Sequence, residues 1–180
     1  VLMALLGTMI ASMIGLPLAF FAAANITPFA MVRFGLRRLF DCLRGIDTLI
    51  WSLVLLRAFG PGLFTGIFAI ALTDIGTLGK LMSEAIENSE SKQKEGVAST
   101  GASRLQQHRF GIVPQILPVF ISQSLYYLES NTRSAVIIGA MGAGGIGLQF
   151  LGALQTGNDF ENVAYMAILV LLTVIIMDTM

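Results

Sequence analysis

The sequence predicts an all-α membrane protein whose helices cross a bilayer several times. Hydrophobic residues make up 55% of the chain, and the mean hydropathy is +0.78. Charged residues make up only 12%, about half the share usual in a soluble domain. The third observation is a set of long uncharged segments. A bilayer core ~30 Å thick is crossed by roughly 20 apolar residues in a helix, and several of these segments are long enough. Charged residues are absent from segments 1–32, 58–73, 110–128, 134–158 and 162–177.

Composition also excludes several classes of function. The net charge is zero, which gives no indication of a nucleic-acid partner. A single cysteine and a single histidine, Cys42 and His108, exclude an internal disulfide, a multi-cysteine metal site and a metalloprotease HExxH motif. We therefore expect no metal and no cofactor. The chain is predicted to form one domain over 1–180, trimmed at both ends of a longer natural protein.

The first half of the chain predicts three membrane helices. The first covers about 2–24, with Pro17 tolerated inside it. A basic loop is expected to follow, carrying Arg33, Arg37, Arg38 and Arg44. The second helix covers about 46–59 and ends at a Gly-Pro-Gly turn. The third covers about 63–81 and continues as a polar helix toward Ser89.

The second half begins with the polar segment 89–109, whose only large aliphatic side chains are Val97 and Leu105. A fourth helix is predicted from about 112 to 127. A glycine-rich stretch occupies 139–147, and a last helix covers about 163–177.

The basic residues predict the orientation. Nine of the eleven Lys and Arg residues lie in the connections 33–44 and 80–109. Two helices separate these connections, so both lie on one side, and an excess of Lys and Arg marks the cytoplasmic side. Residues 134–160 are then expected near the outer face, and we prefer a re-entrant segment over a full crossing for 134–158.

The polar segment contains a spaced motif. Glu95-Gly96-Val97 is followed by three residues, Gly101, nine residues and Gly111-Ile112-Val113-Pro114. This resembles the EAA motif of bacterial ABC importer permeases, E-A-A-x3-G-x9-I-x-L-P. Glu95, Gly101 and Pro114 are in register, whereas the two alanines and the Ile and Leu before the proline are replaced.

The resemblance implies a coupling helix inside a cytoplasmic segment at 84–111. Small side chains around a helix that stops at Gly101 form a compact knob, around which the cleft of a cytoplasmic ABC ATPase subunit can close. The residues predicted to couple to that ATPase are Glu95, Gly96, Ala98, Ser99, Thr100, Gly101, Ala102 and Ser103.

Segment 7–23 resembles the first core helix of these permeases. Segments 78–87, 99–103 and 125–147 resemble their phosphonate branch. Departures from the branch are the segment before Val97, where an acidic-Pro-Gly turn is common, and Thr73-Asp74, where a His-Thr pair is common. The resemblance implies a type I permease of about five core helices in the bacterial inner membrane, acting as a homodimer. It also implies a periplasmic or lipid-anchored substrate-binding protein, and ATP hydrolysis by the partner subunit, since no phosphate-binding loop is present.

Polar residues inside apolar helices are candidates for a translocation path, because they are costly in a bilayer and usually face a cavity or a partner. The predicted path residues are Asp74, Ser122, Asn131, Arg133 and Ser134. For Arg133, a structural ion pair with Glu129 at i,i+4 stays open as an alternative. Gly142, Gly144 and Gly145 are the predicted gate. The stretch 142–147, GAGGIG, matches G-x-G-x-x-G, but no βαβ unit surrounds it, so a dinucleotide site is excluded.

The expected function is a permease for phosphonate or a related phosphorus oxyanion. Two alternatives stay open: a permease for another small solute, and an autonomous channel or ion-coupled carrier, which Asp74 and the glycine-rich segment would suit. A membrane enzyme is the weakest reading, because the sequence contains no catalytic constellation.

Overall fold

The computed structural model describes residues 1–156 and 160–178, which form helices joined by short turns. The α-helices of the described residues are α1 Leu2–Ala22, α2 Ala30–Gly45, α3 Thr48–Phe59, α4 Leu63–Glu87, α5 Ser91–Ala98, α6 Arg104–Gln107, α7 Val113–Ile138, α8 Ile146–Thr156 and α9 Phe160–Asp178. The predicted all-α class is confirmed. Positions 157–159 belong to the segment expected near the outer face, and with 179–180 they lie outside the described residues.

Helices α1 and α4 form the centre of the bundle and run parallel. Gly7 of α1 lies against Ile70, so closely that a Cβ there would be 2.7 Å from the Ile70 Cγ2 atom. The backbone N–H of Ala24, just after α1, donates to the Glu87 carboxylate at the end of α4 at 2.5 Å. Because the two helices start and end at the same levels, the chain between them must return across the membrane.

Helix α2 corrects the prediction of a basic loop between the first two membrane helices. The segment 30–45 is an amphipathic helix of 16 residues. Its Phe40 is fully buried against Gly79 of α4, where a Cβ would lie 2.6 Å from the Phe40 ring. The prediction missed this helix because its arginines lower the mean hydropathy of the segment. Leu36, Phe40 and Leu43 nevertheless form one apolar face.

Ion pairs hold α2 on the C-terminal half of α4. Arg37 pairs with Glu87, and the Lys80 Nζ lies 2.5 Å from the Asp41 carboxylate. The pairing order shows that α2 runs antiparallel to α4. With 16 residues in α2 and 12 in α3, the two helices span about 42 Å at 1.5 Å per residue, which is enough for the return crossing.

Helix α3 occupies the outer half of that crossing. The Asp47 carboxylate caps its start by accepting from the Leu49 N–H at 2.8 Å. The helix ends at Gly60, whose φ of +84° is a conformation that favours glycine. The Thr65 hydroxyl then donates to the Gly60 carbonyl at 2.9 Å, which fixes the turn into α4.

Helix α7 runs antiparallel to α1 and α4 and is longer than predicted. Near its N-terminal end Ile116 packs in a cluster with Met82 of α4. At its C-terminal end Ile138 packs in another cluster with Met3 and Ile70. The predicted end near residue 127 is wrong, because the helix continues to Ile138. The polar residues after Tyr127 fit within the helix because Asn131 hydrogen-bonds to Asp74 and Arg133 pairs with Glu129.

A bend follows α7 at the glycine-rich segment. A wide turn at Gly139–Ala143 leads through Gly144 and Gly145 into α8, which is turned by 59° and forms a broken span or a re-entrant segment. The predicted last helix is confirmed as α9, which packs on α7 and α8.

Among the described helices, two are by themselves long and apolar enough to cross a bilayer, namely α1 and α4. The bent pair Arg104–Ala143 and Ile146–Gln155 makes a third if it is one span. Helix α3 and residues 160–176 are shorter apolar helices.

Candidate functional site

A compact knob is built by α5 and the turn that ends it, and its place on the cytoplasmic side stays a prediction. The Ser99 N–H donates to the Glu95 carbonyl at 2.9 Å, and the Gly101 N–H donates to the Ala98 carbonyl at 3.0 Å. Gly101 has a φ of +79°, a left-handed conformation that a side chain disfavours. The glycine at this position of the motif therefore stops the helix and reverses the chain.

The knob is exposed to solvent on the single chain. The predicted coupling residue Ala102 is half-buried. The other predicted coupling residues are all exposed: Glu95, Gly96, Ala98, Ser99, Thr100, Gly101 and Ser103. Leu105 and Phe110 beside them are 80% and 60% exposed. The knob therefore presents polar side chains to solvent with apolar side chains at its rim, and its role in coupling stays a prediction.

The knob is fastened to the base of α7. The backbone N–H of Glu90 donates to the Gln115 Oε1 atom at 3.0 Å, and the Gln115 amide donates back to the Glu90 carbonyl at 3.3 Å. A Cβ at Gly111 would lie 3.0 Å from the Lys94 Cα atom. These contacts join the start of α5 to the start of α7.

His108 lies in the wide turn between α6 and α7. Its Nδ1 atom is buried and has no hydrogen-bond partner within the part of the chain that the structure describes. Burial first, and then the positive charges of Lys94 and Arg104, hold the pKa of His108 below its ordinary value. The imidazole is therefore neutral at neutral pH and adds no charge beside the knob.

A buried polar cluster joins the three central helices. The Asn131 amide of α7 donates to the Asp74 carboxylate of α4 at 2.5 Å and lies 2.9 Å from the Thr8 hydroxyl of α1. Asp74 is 3% exposed and Asn131 is 6% exposed. The structure thus places two predicted path residues between helices, and a role for them in the path stays a prediction.

The other three predicted path residues lie away from this cluster on α7. Arg133 is exposed and forms an ion pair with Glu129 one turn earlier. This pair is the alternative to a role in the path that the sequence left open. Ser122 is exposed on the same side of the helix. Ser134 is half-buried, and its hydroxyl donates to the Ser130 carbonyl at 3.3 Å. Arg133 and Ser122 therefore face outward from the single chain.

A strip of half-exposed polar side chains on α4 and α7 contains Thr77 and Tyr127, which the sequence did not single out. Thr73 and Thr77 lie one turn apart on α4, and Gln123 and Tyr127 lie one turn apart on α7. The Tyr127 hydroxyl is within hydrogen-bonding reach of the Thr77 side chain, so the two rows meet. The spacing i,i+4 of polar residues within two apolar helices was the available signal.

The predicted gate glycines form the bend after α7. Gly142, Gly144 and Gly145 have φ values of +118°, +86° and +78°, so all three adopt a backbone conformation that side chains disfavour. A cavity of about 260 Å³ lies beside them, bounded by the start of α1, the end of α7 and α9. The bend is therefore set by glycine conformation and borders open space.

These features define a multi-pass helical membrane domain with an exposed polar knob, and no group of three potential metal ligands occurs among its described residues. The chain belongs to the family described as binding-protein-dependent transport system inner membrane component, whose model matches residues 15–178. It is thus an inner-membrane permease component.

Several curated proteins are similar to this chain. The phosphate-import permease protein PhnE of Mycolicibacterium smegmatis is 38% identical over 86% of the chain and 29% of its own length. The phosphite transport system permease protein PtxC of Stutzerimonas stutzeri is 34% identical over 98% of the chain and 64% of its own length. A putative cryptic phosphonate transport system permease protein, PhnE2 of Escherichia coli strain K12, is 41% identical over 61% of the chain and 89% of its own length. The chain therefore spans less than two thirds of the first two of these relatives.

Solved structures share the fold. The methionine ABC transporter MetNI in an inward-facing conformation matches with a TM-score of 0.82 at 18% identity, covering 98% of this chain and 87% of that one. An amino acid ABC transporter described with histidines matches with a TM-score of 0.70 at 20% identity, covering 99% and 87%. At these identities the likeness establishes the architecture alone.

Proposed function

We propose that this chain is the membrane-spanning core of an ATP-driven importer for a small phosphorus oxyanion, such as phosphonate, phosphite or phosphate. The observation that carries the proposal is the similarity, at 34–41% identity, to permeases named for these three substrates. The fold is compatible with it, since the chain matches importer permeases along nearly its whole length.

The translocation path is proposed to lie between two copies of the chain. The outward side of α7 carries Ser122, Tyr126, Glu129 and Arg133 at spacings of three and four residues, so these side chains form one stripe. A stripe of polar and charged residues on a membrane helix is unfavourable against lipid and favourable against a water-filled path. The half-exposed strip that includes Thr77 and Tyr127 borders it. A homodimer would place two such surfaces opposite each other.

The anion is proposed to meet Arg133 at the outer end of this path. A guanidinium offers paired donors to phosphorus oxyanions. Glu129 pairs with Arg133 in the free chain, so the anion would compete with the carboxylate for the same donors. Exchange of one anionic partner for another keeps the arginine neutralised throughout.

The knob is proposed to couple this path to a cytoplasmic ABC ATPase subunit. Because Glu90 and Gln115 tie α5 to α7, closure of the ATPase around the knob would move α7, which carries the stripe. A periplasmic or lipid-anchored binding protein would deliver the anion at the outer face. There the bend at Gly142, Gly144 and Gly145 is proposed as the gate.

Reconstitution tests the proposal. The complete natural permease is purified with the ATPase and binding protein encoded beside it and placed in proteoliposomes. ATP hydrolysis is then measured with methylphosphonate, phosphite, phosphate, sulfate and methionine. We expect stimulation by at least one phosphorus oxyanion and none by sulfate or methionine. Stimulation by methionine alone would assign another solute, and solute flux without any associated ATPase would favour a channel or carrier.

A further inference from the structure

The crossing formed by α2 and α3 is broken in the middle of the bundle. Residues 46–47 separate the two helices, and the Trp51 Nε1 atom donates to the Leu43 carbonyl across the break at 3.2 Å. A Cβ at Gly76 of α4 would lie 2.8 Å from the Arg44 backbone nitrogen. Because Gly76 is close to the centre of α4, the break and Arg44 lie at mid-depth in the bundle.

The charges at this level are not balanced. Arg44 is exposed on the single chain, and its Nε atom lies 3.7 Å from the Asp41 carboxylate. The same carboxylate is bound by the Lys80 Nζ atom at 2.5 Å. Asp47, three residues after Arg44, is engaged as the cap of α3, where it accepts from the Leu49 N–H. Two cations thus share one carboxylate, and the cluster of these three residues carries one positive charge.

A polar stripe on α4 leads to this cluster. Thr73, Thr77 and Lys80 are half-exposed and follow one another at spacings of four and three residues, which places them on one helix face. The Tyr127 hydroxyl of α7 reaches the Thr77 side chain, and Arg44 is near enough to act on Tyr127 electrostatically. The stripe therefore lies between α2, which carries Arg44, and α7, which carries Tyr127.

The depth of the cluster argues against lipid as its surroundings. A charge at mid-depth in a bilayer is unfavourable against acyl chains. The level of Gly76 is eleven residues from Glu87 at the end of α4, about 16 Å along the helix axis, whereas lipid phosphates stay at the bilayer surface. Glu84, an exposed carboxylate on α4, is about 12 Å along the axis from that level. The positive charge of Arg44 is thus placed for a water-filled path.

We propose that Arg44 and Lys80 form an inner binding site for the transported phosphorus oxyanion, in the half of the path predicted to face the cytoplasm. The inference rests on the proposed function, which supplies the anion. Lys80 remains paired with Asp41 and adds positive potential, while the Arg44 guanidinium offers paired donors to the phosphorus oxygens. Thr77 and Tyr127 provide neutral hydroxyl groups at the edge of the site.

The spacing from Arg133 fits two successive anion sites. Tyr127 is six residues from Arg133 along α7, and Lys80 is three residues from Thr77 along α4. Since Thr77 and Tyr127 meet and the helices are antiparallel, the two rises add to about 14 Å. An anion that leaves Arg133 therefore passes neutral hydroxyl groups before it reaches the second cation.

A cysteine on the stripe tests the site. Thr73→Cys is introduced with Cys42→Ser in the complete natural permease, which is assembled with its ATPase subunit in nanodiscs. The Thr73 hydroxyl donates to the Ala69 carbonyl of its own helix at 3.1 Å, so Arg44 and Lys80 keep their contacts. Reaction rates are measured with a sulfonate-bearing and a trimethylammonium-bearing methanethiosulfonate, relative to the rates with a free uncharged thiol. We expect the anionic reagent to be favoured, and methylphosphonate, phosphite or phosphate to slow its reaction.

Variants of Arg44 separate its charge from general access. Arg44→Gln should lower the ratio of the two rates about fourfold, the effect of one charge roughly 10 Å away in water on reagents of opposite sign. It should also abolish the slowing by oxyanions, whereas Arg44→Lys should keep the ratio and part of the slowing. Arg57→Gln is the matched control, since Arg57 is an exposed arginine in the last turn of α3, and it should change neither. The effect of oxyanions on Thr73→Cys needs no change at Arg44, so it decides the proposal even if Arg44→Gln fails to assemble.

Three outcomes would contradict the proposal, and they separate it from the proposed function. If Thr73→Cys reacts with neither reagent, the stripe is covered by lipid or protein and forms no path. If oxyanions stimulate ATP hydrolysis but neither they nor Arg44→Gln alter the rates at Thr73→Cys, the inner site is wrong and the proposed function stands. If methionine or sulfate alone slows the reaction and stimulates ATP hydrolysis, both the phosphorus ligand of this site and the proposed function are wrong.

Discussion

The Asn131 amide on α7 and the Asp74 carboxylate on α4 form a hydrogen bond of 2.5 Å inside the bundle. The same Asn131 amide also donates to the Thr8 hydroxyl of α1 at 2.9 Å. One side chain thus joins α7 to both parallel central helices. Since a buried polar group without a partner is costly, this cluster resists any motion that separates α7 from the central pair.

Asn131→Leu is expected to lower the stability of the purified permease, because Asp74 then lies buried without its donor. The expected loss is about 3 kcal/mol, measured as a fall in the thermal unfolding midpoint in detergent. Gln123→Leu is the matched control, since Gln123 is a half-exposed amide on the same helix. The double variant Asp74→Leu with Asn131→Leu should regain part of the loss, because both polar groups are removed together. A midpoint unchanged by Asn131→Leu would contradict this role for the cluster.

Gly101→Val is expected to uncouple transport from ATP hydrolysis. A β-branched residue at a φ of +79° is strained by roughly 1–2 kcal/mol, so the turn that ends α5 should change shape. Uptake and co-purification of the ATPase subunit are measured together, and both should fall. Gly96→Ala is the control, because Gly96 is inside α5 and a Cβ there meets nothing within 4 Å. Normal uptake and a normal complex in Gly101→Val would show that the knob is assigned wrongly.

Arg133→Gln is expected to abolish uptake with little change in stability. Exposed i,i+4 ion pairs contribute only about 0.3–0.5 kcal/mol, so loss of the Glu129 pair should barely move the unfolding midpoint. Arg133→Lys should retain some transport. The charge swap Glu129→Arg with Arg133→Glu separates the two roles. If the swap restores uptake, Arg133 serves only the ion pair; if uptake stays lost, the arginine acts on the anion.

Cysteine accessibility tests the orientation. In a Cys42→Ser background, Ser91→Cys at the start of α5 should resist a membrane-impermeant maleimide added to intact spheroplasts. Gly62→Cys, in the turn between α3 and α4, should react. Ser91 is exposed and Gly62 is half-buried on the single chain, so weaker reaction at the more exposed position reports sidedness and not burial. The opposite labelling pattern would invert the topology.

Much of the fold followed from local sequence. The uncharged runs gave α1, α4 and α9, and the glycine of the spaced motif marked the end of α5. The basic segment 30–45 was the main error, because mean hydropathy was weighted above its apolar periodicity. In a bundle, a helix with arginines is tolerated where carboxylates on a neighbour pair with them, as Glu87 does for Arg37.

Insertion in a membrane and the position of the knob along the chain depend on composition and short-range spacing, which can be deduced from the sequence. The direction in which each polar side chain faces depends on packing between helices far apart in sequence. Asp74 and Asn131 are 57 residues apart. The local sequence around each of them is equally compatible with a side chain that lines a path. Only the packing of α7 on α1 and α4 turns both inward, because a shared hydrogen bond offsets the cost of burying them, and it leaves Arg133 outside.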